Sequence, residues 1–387
     1  MKNIRKQFAV FALAAALSAG AAAPVASAAP VVDTGESIAI SVNGVQLTDA
    51  PPAFESSDVI YLPLRALAET VGFEVGYDEA TRTAELSDGD RDIALSLTSG
   101  AVSVNGAASG EADFILRGNR TFVTVDFVSE YISSGSLFVN SRESDTETSA
   151  AAIYIYMPLD VSIGGGIRVG SLTYGYDEDI DGAHAVSSSY AAPVLHGFGD
   201  ADFEETLNKS FSDAFDANEK DILDESTAAG EAIADGRDDE VYSYASENDY
   251  TVTADDGILT ISENGYLYSG GAHAMYWLST YVIDIEGSKR LSLEDLFESG
   301  TDYKTALIDE MNAIRAAGGE YWEDVSEIGL EEIDAYGGYN FYFADGTLVI
   351  YYNPYDVAAY AVGMVKFEIP SDSISGIVAP EYSELFS

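Results

Sequence analysis

The 387-residue chain contains no cysteine, which excludes disulfides, thiolate metal sites, thiol nucleophiles and thiol redox chemistry together. Histidine is almost as scarce: His184, His196 and His273 are the only three, and they lie far apart in the sequence. Positive charge is sparse too. Against 66 Asp+Glu there are 18 Lys+Arg, a formal net charge of −48. Such a surface repels nucleic acid and anionic lipid, so both are excluded as partners. Beyond the N-terminus no apolar stretch is long enough to span a bilayer.

The N-terminus reads as a cleavable secretory signal peptide over residues 1–28. Lys2, Arg5 and Lys6 form its charged end, Phe8 to Leu17 its apolar run, and Ala26-Ser27-Ala28 its cleavage site. The expected product is secreted or cell-surface, with no membrane span after cleavage. Removing the signal takes away three cations and no acid, so −48 becomes −51. That field attracts metal cations or basic proteins over roughly a Debye length, or simply keeps a secreted protein soluble. With 47% hydrophobic residues and 25 Tyr, the chain is globular, with material for two or three domains.

Residues 37–158 look like two copies of one pattern. The first runs Ile38 to Asn43-Gly44, then Val59-Ile-Tyr-Leu-Pro-Leu-Arg65-Ala-Leu-Ala-Glu69, then Gly72 to Asp78. The second runs Val102 to Asn105-Gly106, then Arg120 to Glu130. Alternating apolar runs ending in Asn-Gly predict strands entering tight turns. Each copy therefore predicts a hairpin followed by a short helix. Leu64, Leu67, Ala68 and Val71 form the apolar face of the first helix, and Val125, Val128 and Ser129 that of the second. The Tyr-Leu-Pro-Leu-Arg-Ala-Leu-Ala-Glu segment resembles the copper amine oxidase N-terminal-like domain, a stalk module of secreted bacterial surface proteins. The second copy departs from it, with Thr124 and Asp126 where that family has Pro and Arg. The resemblance implies no copper site, and the absence of His and Cys from this stretch agrees.

Gly164-Gly165-Gly166 and Pro158 mark residues 159–170 as a linker. Beyond it, Asp202 to about Asp235 reads as an amphipathic helix capped by Asp202 and broken near Asp221. A second helix is expected from Asp302 to Ala317, stopped by Gly318-Gly319, and Asp345-Gly346 marks a hairpin turn. With strand signals throughout Val241–Ile285 and Val362–Ile369, the fold class expected is α+β. It combines a two-repeat hairpin/helix stalk with a C-terminal antiparallel-sheet module.

Three strings stand out in the C-terminal half: Tyr266-Leu-Tyr268-Ser-Gly270-Gly271-Ala272-His273, Leu291-Ser-Leu-Glu-Asp-Leu-Phe297, and Tyr351-Tyr-Asn-Pro-Tyr355-Asp-Val-Ala-Ala-Tyr360. Together they resemble the paired extracytoplasmic domains of unknown function of RsiV-type anti-sigma factors and PdaC-type deacetylases, here residues 171–290 and 291–387. In RsiV-like proteins the resemblance implies recognition of lysozyme, a basic protein. The 28 residues before the expected mature domain leave no room for sigma-factor control. A PdaC-type catalytic domain, with two His on one helical face, does not fit three scattered histidines, so no enzyme activity and no cofactor are expected.

Candidate ligand-binding residues are Tyr266, Tyr268, Gly270, Gly271, His273, Tyr276, Trp277, Tyr351 and Tyr355, rigid amphipathic rings and a flexible turn suited to a binding surface. Asp177, Asp179, Asp181 and Gly182 match the opening of a calcium loop, but its twelfth position is Ser188, so an exposed acidic turn is expected and weak calcium binding stays open. The reading is a secreted, non-catalytic cell-envelope binding protein that captures a basic extracellular protein such as lysozyme. A peptidoglycan or wall-glycan binding module is the alternative, and a hydrolase using His273 comes third.

Overall fold

A computed structural model describes residues 37–133, 137–142, 152–237 and 241–386; the expected signal peptide lies outside them. Two compact units divide the chain. The first takes the N-terminal part up to Ile163 with Arg168–Gly175 and Ala191–Leu195; the second takes Gly164–Ile167, Tyr176–Tyr190 and His196 onward.

In the first unit the internal repeat is real. Hairpin Phe54–Ser56/Val59–Pro63 leads into helix Leu64–Thr70, and hairpin Phe114–Arg117/Arg120–Thr124 leads into helix Val125–Phe127, continued as a wider turn over Val128–Ser133. The two hairpins join through Val59–Pro63 and Arg120–Thr124 into one antiparallel four-stranded sheet. A five-stranded meander from Glu74 to Glu111 connects them. Leu64, Leu67, Ala68 and Val71 are buried as their spacing predicts. The second helix buries Phe127, Val128, Tyr131 and Ile132 instead of Val125 and Ser129, because its widened turn rotates the apolar stripe. Thr124, where the resembling family has Pro, caps that helix by accepting from the Phe127 amide.

Asn43 and Asn105 both adopt positive φ before glycine, as Asn-Gly turns require. They differ in environment. Asn105 is exposed, whereas Asn43 is buried and donates to the Leu159 and Val169 carbonyls while accepting from the Met157 amide and Ser171 hydroxyl. The stretch that reads as a linker is instead ordered: Val161–Gly164 and Ile167–Asp179 are strands, and Gly164, Gly165 and Gly166, all at positive φ, make the turn between them. The glycine run signals a left-handed turn, which composition cannot tell from a linker.

The second unit is built on a meander of strands Tyr244–Asp255, Ile258–Tyr268, Met275–Asp284 and Lys289–Arg290. The antiparallel expectation does not hold throughout. Val186–Tyr190 pairs parallel with Tyr244–Asn248, and in the first unit Ala39–Val42 pairs parallel with Ala152–Tyr156. Parallel pairing needs a long crossover, and helix Ala201–Ala234 supplies the first of these. That helix is unbroken at Asp221. Its cap is Asp200, not Asp202: the Asp200 carboxylate accepts from the Asp202 and Phe203 amides. Asp200→Ala is expected to lower stability by about 1 kcal/mol, and Asp202→Ala by a few tenths at most, measured by urea denaturation.

Helix Tyr303–Ala317 and the three-stranded sheet Phe341–Ala344, Thr347–Tyr352, Val365–Ile369 close a core containing Leu307, Met311, Ile350 and Phe367 together with Ile258 and Val282 from the meander. The two parts of the second unit thus share one core. Within the Leu-x-Leu-x-Asp-Leu-Phe string, Leu291, Leu293, Leu296 and Phe297 are buried in it, and Asp295 accepts from the Ser292 amide while pairing with Lys289. That string is structural. No helix among the described residues is long and apolar enough to cross a membrane.

Candidate functional site

Strand pairing decides which candidate residues can meet. Directly opposed residues of an antiparallel pair share a face, and neighbours along a strand alternate. Tyr266 opposes Tyr276, and Gly265 opposes Trp277. Tyr276 and Trp277 therefore point to opposite faces of the meander, so the candidate aromatics cannot form one platform. Trp277 lies across Gly265 so closely that a Cβ there would fall 2.1 Å from the indole Cε2.

On the Tyr276 face an aromatic cluster does assemble. The turn between Ile258–Tyr268 and Met275–Asp284 carries Gly270 and Gly271 at positive φ, and Gly270 lets the turn pack on Tyr242: a Cβ would meet the ring at 2.8 Å. The turn presents His273, whose ring stacks on Tyr360 at 3.8 Å and 15°. Tyr360 also meets Tyr355 at 5.6 Å and Tyr276 at 5.8 Å, and its hydroxyl donates to the Ala274 carbonyl at 2.6 Å. Tyr268 donates to the Gly271 carbonyl at 3.3 Å. Tyr360, at the end of the third string, is the hub that joins the turn to the Tyr351–Tyr360 segment.

His273 Nδ1 lies 3.1 Å from the Ala274 carbonyl, which can only accept, so this nitrogen carries the proton and Nε2 accepts from the Tyr355 hydroxyl at 3.2 Å. Both ring nitrogens are engaged by groups that hold the ring in place. Among the described residues no serine or carboxylate bonds to His273.

Tyr351 belongs elsewhere. It is buried, with its hydroxyl 3.2 Å from Thr280 Oγ1, and takes no part in the exposed cluster. The Asn353–Asp356 turn is fixed to the meander, because Asn353 accepts from the Leu278 amide and donates to the Leu278 carbonyl. Asp356 accepts from the Asn353 amide and from the hydroxyl of Tyr336. Tyr336 and Tyr355 are 52% and 57% exposed. Nothing in the pattern around Tyr336 signals its position, since it reaches Asp356 only through tertiary folding.

A second polar cluster lies at the edge of the meander. Arg290 sits 4.0 Å from the Tyr281 ring and 4.2 Å from the Tyr339 ring and donates to the Thr280 carbonyl. Burial pushes the Glu263 carboxyl up to about 7, against hydrogen bonds from Tyr281 and Asn248 and the nearby Arg290 charge.

Among the described residues no group of three or more His, Cys, Asp or Glu side chains is placed to hold an ion. His184 pairs with Asp181 and His196 with Glu204. Asp181 accepts from the Ala183 and His184 amides and Asp179 from the Gly182 amide, so these two aspartates of the calcium-like string shape an acidic turn. The first unit has no histidine and no cysteine to offer copper.

Comparison with known proteins agrees with the motif reading. Residues 41–135 match the Copper amine oxidase N-terminal domain, residues 182–276 the Deacetylase PdaC family, and residues 294–372 the Protein of unknown function (DUF3298) family. No curated protein matches the chain. Among solved structures, a DUF3298 family member from Bacteroides fragilis NCTC 9343 is 20% identical, with 58% of this chain and 98% of that one covered at a TM-score of 0.44. A DUF3298 family protein from Pseudomonas aeruginosa PAO1 is also 20% identical, with 56% and 95% covered and a TM-score of 0.36. The Gly-Gly-Ala-His turn falls in the PdaC-matched region and the Tyr351–Tyr360 segment in the DUF3298-matched one.

Proposed function

We propose that this is a secreted, non-catalytic cell-envelope binding protein whose C-terminal module captures a basic extracellular protein of the lysozyme type, with the N-terminal module as its stalk. The observation that carries this reading is an aromatic cluster at the surface of a strongly negative module, with His273 and Tyr355 exposed and Tyr276 and Tyr360 half-buried. Residues 171–387 hold 45 Asp+Glu against 8 Lys+Arg, a net of −37. Of those eight cations, Lys209, Lys220, Arg237, Lys289 and Lys304 are paired with carboxylates. Little positive charge is left to oppose a cationic partner, and the rings supply the rigid, partly apolar contact that interface anchors use.

A wall-glycan reading has its own support in Trp277, 36% exposed on the opposite face, where a sugar ring could stack. Ionic strength separates the two. With the full mature chain immobilised, lysozyme capture should weaken by about tenfold or more between 50 and 300 mM salt, as expected of attraction screened beyond a Debye length. Binding of purified peptidoglycan through ring stacking should change little. Lysozyme binding that ignores salt, or none at 50 mM, rejects the basic-protein reading.

A further inference from the structure

Eleven non-glycine residues in the described chain have positive φ, and nine of them are Asn, Asp, Ser or Arg. The remaining two are tyrosines: Tyr336 at 53° and Tyr355 at 78°. Bulky L side chains rarely adopt this conformation, and it persists only where the surroundings over-determine it. Here they do. Asn353 fastens the turn to Leu278 through two hydrogen bonds, and Asp356 Oδ2 receives both the Asn353 amide and the Tyr336 hydroxyl at 2.7 Å. The fold thus holds two strained aromatic residues, both more than half exposed: Tyr336, bonded to the Asp356 carboxylate, and Tyr355, the residue before Asp356 in the chain. Among the described residues Asp356 Oδ1 accepts no hydrogen bond.

The chain itself shows two tyrosine rings holding a guanidinium. Arg290 lies against the Tyr281 and Tyr339 rings, with Glu263 as the nearby opposite charge. The guanidinium suits this arrangement because it is planar, stacks on rings and donates along its edge; an ammonium group is compact and more strongly hydrated.

We propose that Tyr336, Asp356 and Tyr355 form an external anchor of the same chemistry, which takes an arginine side chain of the basic partner: the guanidinium lies against the exposed rings and donates to Asp356 Oδ1. This rests on the reading of the module as a basic-protein binder. It adds the group on the partner that is recognised, and two residues, Tyr336 and Asp356, that recognise it. The Tyr336 hydroxyl, pushed up to about 12 by burial first and by its bond to Asp356 second, stays protonated and keeps donating, which leaves Oδ1 for the ligand.

The test uses the full mature chain with arginine amide as probe, followed by saturation-transfer NMR, and lysozyme in parallel. Arginine amide should bind weakly but measurably, and about tenfold more weakly to Asp356→Asn and to Tyr336→Leu, as expected when one ring or the charge is lost. Lysine amide should bind several-fold less well than arginine amide. Asn at 356 still accepts from the Asn353 amide and Tyr336, so that variant should keep its fold, checked by near-ultraviolet circular dichroism. Arginine amide bound equally by parent and variants, or lysine amide bound as well as arginine amide, overturns the anchor. Lysozyme capture without arginine amide binding also overturns it and leaves the capture function standing. Arginine amide bound at the anchor while lysozyme is ignored does the reverse.

Discussion

Tyr360→Ala is expected to weaken lysozyme capture by about thirtyfold or more, roughly 2 kcal/mol, the scale at which an interface hot spot is lost. Tyr360 is the ring that every other member of the cluster leans on: His273 stacks on it, Tyr276 and Tyr355 pack against it, and its hydroxyl holds the Ala274 carbonyl. Its removal should release His273 and Tyr355 together. Tyr360→Phe keeps the stacking and loses one hydrogen bond, so it should cost about threefold, which corresponds to well under 1 kcal/mol. Trp277→Ala is the control, because strand alternation places that ring on the other face. It should change lysozyme affinity by about twofold at most, as for a residue outside the contact. Titration calorimetry at low salt gives all three values. Trp277→Ala weakening capture as much as Tyr360→Ala would show that the Tyr276 face is not the binding face.

Much of this was legible in the chain because local chemistry dictates it. The Asn-Gly and Asp-Gly turns, the apolar face of helix Leu64–Thr70 and the stop at Gly318-Gly319 follow from backbone preference and helical spacing, and the structure keeps them. The candidate site was legible as a set of strings but not as a surface. Tyr351 carries the same ring as Tyr355, yet one lies in strand Thr347–Tyr352, buried against Thr280, and the other in the positive-φ turn beyond it, exposed, a difference that composition does not encode. Trp277 follows Tyr276 in sequence and still faces away from it. Tyr336 leaves no signal in the pattern for a different reason: its importance lies in a backbone conformation and in a bond to a carboxylate twenty residues away. The parallel ladders join strands through long crossovers, which leave no local signal in the sequence.

Glu263 should make the protein less stable as the pH rises through neutrality. Its carboxyl is raised from 4.5 to about 7, so below about pH 4.5 the folded and unfolded chains both carry its proton. Between those values the folded chain still holds a proton that the unfolded chain has released, and stability falls with every step upward until the folded group also ionises. Burial is the leading cause. The groups facing Glu263 are Tyr281 and Asn248, which hydrogen-bond it, and Arg290 and Tyr190. Helix Ala201–Ala234 lays Phe211 on Tyr281 and Phe215 on Tyr190, adding apolar cover and no charge through these ring contacts. The acids whose carboxyls are held low, Asp88, Asp181 and Asp295 among them, act in the opposite sense and at lower pH, as their protons are taken up below the ordinary carboxylate range. Glu263→Gln removes the titration and keeps an acceptor for Tyr281. Its stability should match the parent near pH 4.5 and exceed it by about 3 kcal/mol at pH 8, the equivalent of the raised carboxyl. Urea denaturation of both proteins across that range measures the difference. A parent that gains on Glu263→Gln toward pH 8 would mean that the attraction of Arg290 for the ionised carboxylate outweighs the burial of its charge.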